Sequence, residues 1–199
     1  MPVLNVIAGP NGSGKSTLIK YLQKHRFDLG TYINPDDIAK ERGLHGENGS
    51  RDAQALADAA REACLGKRED FTFETVMSHD SKIAFMARAR EEGYKVYLYF
   101  VCTDSYEINI QRVKHRVLFG GHDVPVERIV ARYHRTLSLL HLAIANADRT
   151  ILFDNTAHYE NASQSLRPFA MIDNDGLNHS LRISGITPIW AFETVMQYR

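Results

Sequence analysis

Cysteine is scarce in this chain: two in 199 residues, Cys64 and Cys102. They form neither a metal-ligand spacing nor a disulfide framework, and each lies in a segment where a small thiol packs as a core residue. An excess of charge of one sign is lacking too. Twenty-four Lys and Arg balance 24 Asp and Glu, which speaks against nucleic acid or an anionic membrane surface as a partner. No apolar run approaches the roughly 20 residues of a membrane span. The first residues lack the basic and apolar regions of a secretion signal, so a reducing cytoplasm is the expected location. There is no internal repeat and no low-complexity segment. The nine histidines show no zinc spacing, and His134 and His141 read as exposed or packed helical residues.

What remains is the composition of a soluble globular chain, 44% apolar and 24% charged, of a length expected for one domain over 1–199. Strand and helix signals alternate. Strands are predicted at 3–8, 30–33, 70–75, 95–102 and 149–154, the run from Lys95 to Cys102 reading as a strand buried on both faces. Helices are predicted at 51–66, at 80–92 ending before Gly93, at 105–118 behind an Asp104–Glu107 capping box, and at 125–147 opening on Pro125. The Gly- and Asn-rich stretch 43–50 reads as a mobile loop. From 156 onward the pattern changes to a hairpin, 166–172 and 179–184 around Asp173–Gly176, and a closing helix 187–197 with Trp190, a C-terminal extension on the edge of the core. The expected fold is α/β, a P-loop NTPase-type three-layer sandwich around a central, mostly parallel five-stranded sheet, with a helical lid at 105–148.

Residues 9–17, Gly-Pro-Asn-Gly-Ser-Gly-Lys-Ser-Thr, carry most of the functional information. They complete a G-x-x-x-x-G-K-[ST] phosphate-binding loop between an apolar strand and a helix start. Gly9, Gly12 and Gly14 let the backbone curl so that several N–H groups face one anion, and the helix start adds partial positive charge. Lys15 is expected on the β- and γ-phosphates of a nucleotide and the Ser16 hydroxyl on Mg²⁺, with Asn11, Ser13 and Thr17 completing the nucleotide contacts. No Asn-Lys-x-Asp motif accompanies the loop, and the sole Asp-x-x-Gly match, Asp173–Gly176, falls in the hairpin turn; this disfavours a GTPase switch. The absence of a Leu-Ser-Gly-Gly-Gln-like run disfavours a transporter ATPase.

Three further constellations stand at strand ends or around a glycine loop. Ile33-Asn34-Pro35-Asp36-Asp37 follows the second strand, where ligands of parallel sheets bind. Asp36 there is either a general base for an acceptor hydroxyl or, like Asp37, a helix N-cap. Phe71-Thr72-Phe73-Glu74-Thr75 ends the third strand. Glu74 is either a ligand to a Mg²⁺-bound water or substrate hydroxyl, or a surface acid. Arg112 and Arg116, then Gly120-Gly121-His122, then Arg128, Arg132 and Arg135 at helical spacing suggest two basic helix faces joined by a mobile loop, a lid over ATP.

In combination, the phosphate loop, Ile-Asn-Pro-Asp, Phe-Glu-Thr and the arginine/Gly-Gly-His segment resemble the zeta-toxin kinases, in particular their short bacterial branch, over residues 3 to about 155. The resemblance implies an enzyme that uses ATP and Mg²⁺ to phosphorylate the sugar of a nucleotide sugar, UDP-N-acetylglucosamine, and an antitoxin protein as a partner. It implies Asp36 as the base and Glu74 and Thr75 as the substrate-side strand. Lys15 and Ser16 become the nucleotide site, joined by Arg112, and Arg116 and Arg132 the first choices for the phosphate clamp. Loop 43–50 would close over the uridine end. Two other readings share the motif: a polynucleotide 5′-kinase, and a nucleotide-gated binding protein with slow ATPase activity.

Overall fold

The computed structural model describes residues 1–156, 166–176 and 178–199. Strand β1 (Val3–Ala8) leads through the glycine loop into α1 (Lys15–Lys24). There follow β2 (Thr31–Ile33), α2 (Pro35–Glu41), α3 (Gly46–Lys67), β3 (Phe71–Thr75), α4 (Ser81–Glu91) and β4 (Lys95–Cys102). The helical pair α5 (Tyr106–Leu118) and α6 (Val126–Ala145) precedes β5 (Arg149–Asp154), and β6 (Arg167–Asn174), β7 (His179–Ile183) and α7 (Phe192–Met196) close the chain. Among the described residues the strands form one sheet in the order β2-β3-β1-β4-β5-β6-β7. The pairs from β2 to β5 are parallel, and those of β5 with β6 and β6 with β7 antiparallel. The five expected strands are therefore the parallel part of a seven-stranded sheet. The hairpin does not merely pack on the edge; it extends the hydrogen-bonded ladder.

Alternation along the central strands sorts side chains into two layers. Leu4, Val6, Phe71, Phe73, Leu98 and Phe100 face α3, α4, α6 and the C-terminal turn. Ile7, Tyr99, Val101 and Phe153 face α1 through Leu18, Ile19 and Leu22. Full burial of each such apolar side chain contributes about 1.5–3 kcal/mol before entropy is counted. Cys64 and Cys102 are both free and buried in this packing. No helix among the described residues is long and apolar enough to cross a membrane.

Several boundaries differ from expectation, each for a local reason. Helix α3 starts at Gly46, so most of the supposed loop 43–50 is its first turns. Gly49 is buried there because the backbone of Leu44 lies where a Cβ would stand, 2.7 Å from the Leu44 carbonyl carbon. The glycine lets the connector between α2 and α3 pack closely on the first turn of α3. Helix α2 is capped by Asn34, whose Oδ1 accepts the N–H of Asp36 at 2.9 Å, with Pro35 at the first helical position. Neither aspartate is the cap. Asp104 does not cap α5 either: Ser105 holds the N-cap position, while the Asp104 N–H donates to Thr156 Oγ1 and its carboxylate accepts the backbone N–H of Trp190. Pro125 likewise sits one place before α6 rather than inside it.

Candidate functional site

The loop after β1 is held by contacts that tolerate no side chain at its glycines. Gly12 has φ +78°, and a Cβ on it would stand 2.6 Å from the Asn109 carbonyl oxygen of α5. Gly14 has φ +106°, and its Cβ would lie 2.1 Å from the Asn155 amide nitrogen. Within the loop Ser13 N–H donates to the Pro10 carbonyl. The first backbone hydrogen bond of α1 runs from Leu18 to Gly14. Helix geometry therefore leaves the N–H groups of Lys15, Ser16 and Thr17 outside the ladder. The first turn of α1 carries no acid, so its partial positive charge is uncompensated and suited to an anion. The Ser13 hydroxyl is fully buried and, among the described residues, has no hydrogen-bond partner.

Lys15 is buried, and its ammonium donates to the carbonyls of Gly9 at 3.0 Å and Pro10 at 3.3 Å. Burial lowers its pKa from the ordinary value. The charges of Glu74 and Asp36 oppose that shift, and those of Arg116 and Arg132 reinforce it. The groups surrounding this ammonium are thus the ones the motifs had singled out separately.

Sheet register places the acid. Ile7 pairs with Glu74 and Ala8 with Thr75, so β3 ends beside the loop, and Gly9 N–H donates to the Thr75 carbonyl. Glu74 is not a surface glutamate: its side chain is 12% exposed, with Oε1 3.9 Å from the Lys15 ammonium. Its Oε2 accepts the Tyr32 hydroxyl at 3.1 Å, and Asn34 donates to that hydroxyl in turn. Burial, then the Glu74 charge, push the Tyr32 pKa up, which keeps the phenol a donor to Glu74. Thr75 Oγ1 accepts the N–H of Met77, a buried residue held at φ +56°. Asp36, freed from capping by Asn34, presents an exposed carboxylate to the same cleft.

The cleft has a volume of about 1740 Å³. Four of the five arginines expected on a lid line it: Arg112, Arg116, Arg128 and Arg132. Arg112 donates to the Asn155 carbonyl at 2.8 Å, Arg132 to Asn11 Oδ1 at 3.2 Å, and Arg116 to the His122 carbonyl at 2.7 Å across the Gly-Gly turn. Arg128 lies 3.8 Å from Glu47 at the start of α3. Arg135 does not line the cleft. Seven residues past Arg128 is about 10 Å along the helix axis, and it bonds its own helix at the Ala131 carbonyl.

Sequence reasoning missed the far wall. Arg51 and Asp58 from α3 and Lys82 from α4 line it, with Lys82 2.8 Å from Asp58, which also pairs with the buried Arg61. No local motif signals them. Asn155 had a usable signal, since it follows the end of β5 as Asp36 follows β2.

Arg116→Ala and Arg132→Ala are each expected to lower kcat more than they raise KM for ATP. Charge-assisted hydrogen bonds of about 1.5–3 kcal/mol correspond to roughly tenfold to a hundredfold. Steady-state kinetics check this, and a change confined to KM would assign the arginines to ground-state binding alone.

An uncharacterized protein of Haemophilus influenzae is 33% identical over 131 residues, covering 63% of this chain and 88% of its own. Among solved structures, the PezAT chromosomal toxin-antitoxin system of Streptococcus pneumoniae superposes with a TM-score of 0.57 at 16% identity, over 77% of this chain and 68% of that one. The AvrRxo1-ORF1:-ORF2 complex with ATP superposes with a TM-score of 0.67 at 17% identity, over 100% of this chain, which spans only 63% of that one. The Pnkp1/Rnl/Hen1 RNA repair complex gives a TM-score of 0.55 at 20% identity, over 69% of this chain and 44% of that one. These likenesses show a shared P-loop kinase-like fold. The Zeta toxin family model matches residues 1–164, and the chain belongs to that family.

Proposed function

We propose that the chain is an ATP-dependent phosphotransferase whose acceptor is the sugar hydroxyl of a nucleotide sugar of the UDP-N-acetylglucosamine kind. One observation supports this: Glu74, Asp36, Arg116 and Arg132 line the same cleft as Lys15, so a candidate base, a loop lysine and two candidate clamping cations converge there. In this reading the whole chain works as one unit, with 105–148 as the lid and the segment after 156 as support.

The residues fit a nucleoside triphosphate: a helix start without acids, free N–H groups, and arginines on the opposite wall. Asn11 through Thr17 and Arg112 would hold the triphosphate, and the Ser16 hydroxyl would hold Mg²⁺, which when bound would supply charge neutralisation of the phosphates. Asp36 accepts the proton of the acceptor hydroxyl as its oxygen bonds to the γ-phosphorus. The bridging β–γ bond breaks and its electron pair leaves with ADP. Lys15, Arg116 and Arg132 balance the charge on the transferring group. Glu74 and Thr75 orient the sugar, and the lid excludes water that would otherwise hydrolyse ATP. The toxin-antitoxin setting of the pneumococcal neighbour supports a protein antitoxin as partner.

The experiment is mass spectrometry of UDP-N-acetylglucosamine incubated with ATP, Mg²⁺ and the protein, with acceptor omitted as control. The expected product is one phosphate heavier, esterified on the sugar's 3′-hydroxyl. Phosphorylation of a 5′-hydroxyl oligonucleotide instead would support the polynucleotide-kinase reading, which the balanced charge of the chain disfavours. ATP hydrolysis indifferent to both acceptors would leave a nucleotide-gated binding protein.

A further inference from the structure

Asn155 stands directly after β5 and is 3% exposed. Its side-chain amide donates to the Ser13 carbonyl at 2.8 Å, in the middle of the phosphate loop. A trans peptide is planar, with its C=O and the following N–H pointing to opposite sides. Fixing the Ser13 carbonyl toward Asn155 therefore fixes the Gly14 N–H on the other side. Asn155 also accepts Arg112 on its own carbonyl, so one residue ties the loop to the lid.

Asn155 is held in turn from the C-terminal strands. The preceding Asp154 carboxylate is buried. Its Oδ2 accepts Arg167 Nε at 3.1 Å and NH2 at 2.9 Å from the start of β6. Its Oδ1 accepts the Thr156 N–H at 3.2 Å and hydroxyl, and the indole N–H of Trp190 at 3.5 Å. Trp190 itself is wedged against Phe100 and Phe169. A carboxylate with this many donors in a buried site has one low-energy orientation, and the backbone direction of the next residue follows from it.

We propose that Asn155 is the positioning residue of the phosphate loop, and that the C-terminal extension serves nucleotide binding by holding Asn155 through Asp154. This rests on the nucleotide reading of the site and is independent of the acceptor. The extension looks remote from the chemistry, since neither Arg167 nor Trp190 lines the cleft. Its role is to set the direction of a loop amide on the far side of β5.

The test measures ATP affinity by titration calorimetry with Mg²⁺ present, at a temperature well below each variant's melting point. Asn155→Ala loses the hydrogen bond to the Ser13 carbonyl and is expected to weaken ATP binding about tenfold. Asn155→Asp keeps the shape but sets an anionic acceptor against the Ser13 carbonyl and close to the phosphates. It is expected to weaken binding about a hundredfold. In turnover assays both variants should raise KM for ATP and leave KM for the acceptor unchanged, a split that general loss of stability does not produce. Arg167→Gln should weaken ATP binding several-fold while keeping the cleft residues intact. ATP affinities within twofold of wild type in both Asn155 variants would overturn the positioning role. A wild-type affinity in Arg167→Gln would overturn the link to the extension. A wild-type protein that binds no ATP would instead remove the nucleotide reading, and this inference with it.

Discussion

Asp36→Asn is expected to bind ATP as the wild type does and to transfer phosphate about 10²–10⁴-fold more slowly, the usual worth of a general base. The substitution preserves size and removes the proton acceptor. The structure makes this a clean experiment, because Asn34 rather than Asp36 caps α2. Losing an acidic side chain from the first turn of a helix costs about 0.3–1 kcal/mol, so the melting temperature should fall little. Asn34→Ala supplies the converse: about 1 kcal/mol of cap energy lost with the base retained, together with the hydrogen bond that Asn34 gives the Tyr32 hydroxyl. Single-turnover transfer and thermal melts on the two variants separate catalysis from stability. Normal transfer by Asp36→Asn would remove Asp36 from the chemistry.

The second large effect is expected from Lys15→Ala: loss of about 10²–10³ in kcat, the magnitude seen when one preorganised electrostatic contact to the reacting group is removed. The fold should not suffer. Burial depresses the Lys15 pKa below its ordinary 10.5, so the unfolded chain holds that proton more tightly. Stability from this group therefore rises with pH between the folded and unfolded pKa values. Below that window the charged ammonium is a cost that the fold carries. Removing it should leave the melting temperature of the ligand-free protein equal or higher. Wild type should gain thermal stability on addition of ATP and Mg²⁺, and the variant should gain far less. Equal turnover by the two proteins would overturn the nucleotide assignment of the loop.

What the sequence made legible depended on how locally each feature is encoded. The phosphate loop was readable outright because its conformation is written in its own glycines. Asp36 and Glu74 were readable as cleft residues by position, since carboxyl ends of parallel strands converge on one cleft; their local surroundings depended on side chains the motifs do not name. Asn34 took the capping role, and Tyr32 with Lys15 drew Glu74 inside. The cleft arginines of α5 and α6 were readable by spacing, but spacing fixes angle and not distance along the axis, which is why Arg135 fell outside. The start of α3 was misread because Gly46 and Gly49 look like loop residues. At Gly49 the glycine makes room for the Leu44 backbone, where the chain turns back on the first turn of α3. The hairpin was seen, but its pairing with β5 was not. Ladder partners of β6 are chosen by a strand whose own neighbours are distant in sequence. Arg61, buried beneath Phe73 and Phe85, was hidden because a charged residue on a helix is read as solvated.

The loop closes on partners far along the chain: Ser13 meets Asn155 across 142 residues, and Asn11 meets Arg132 across 121. A nascent or partly folded chain can contain the complete motif and still present no cradle, because contacts of such separation form only after the entropy of closing the intervening chain has been met. A nucleotide held by this loop would therefore report that β5 and α6 have docked on it. A ligand that recognises only the assembled loop acts on the global folding equilibrium, adding about 2.7 kcal/mol at a concentration of about a hundred times its Kd. Such a gain would be a sizeable share of the roughly 5–15 kcal/mol typical of a folded domain, and it would slow proteolysis through the unfolded state.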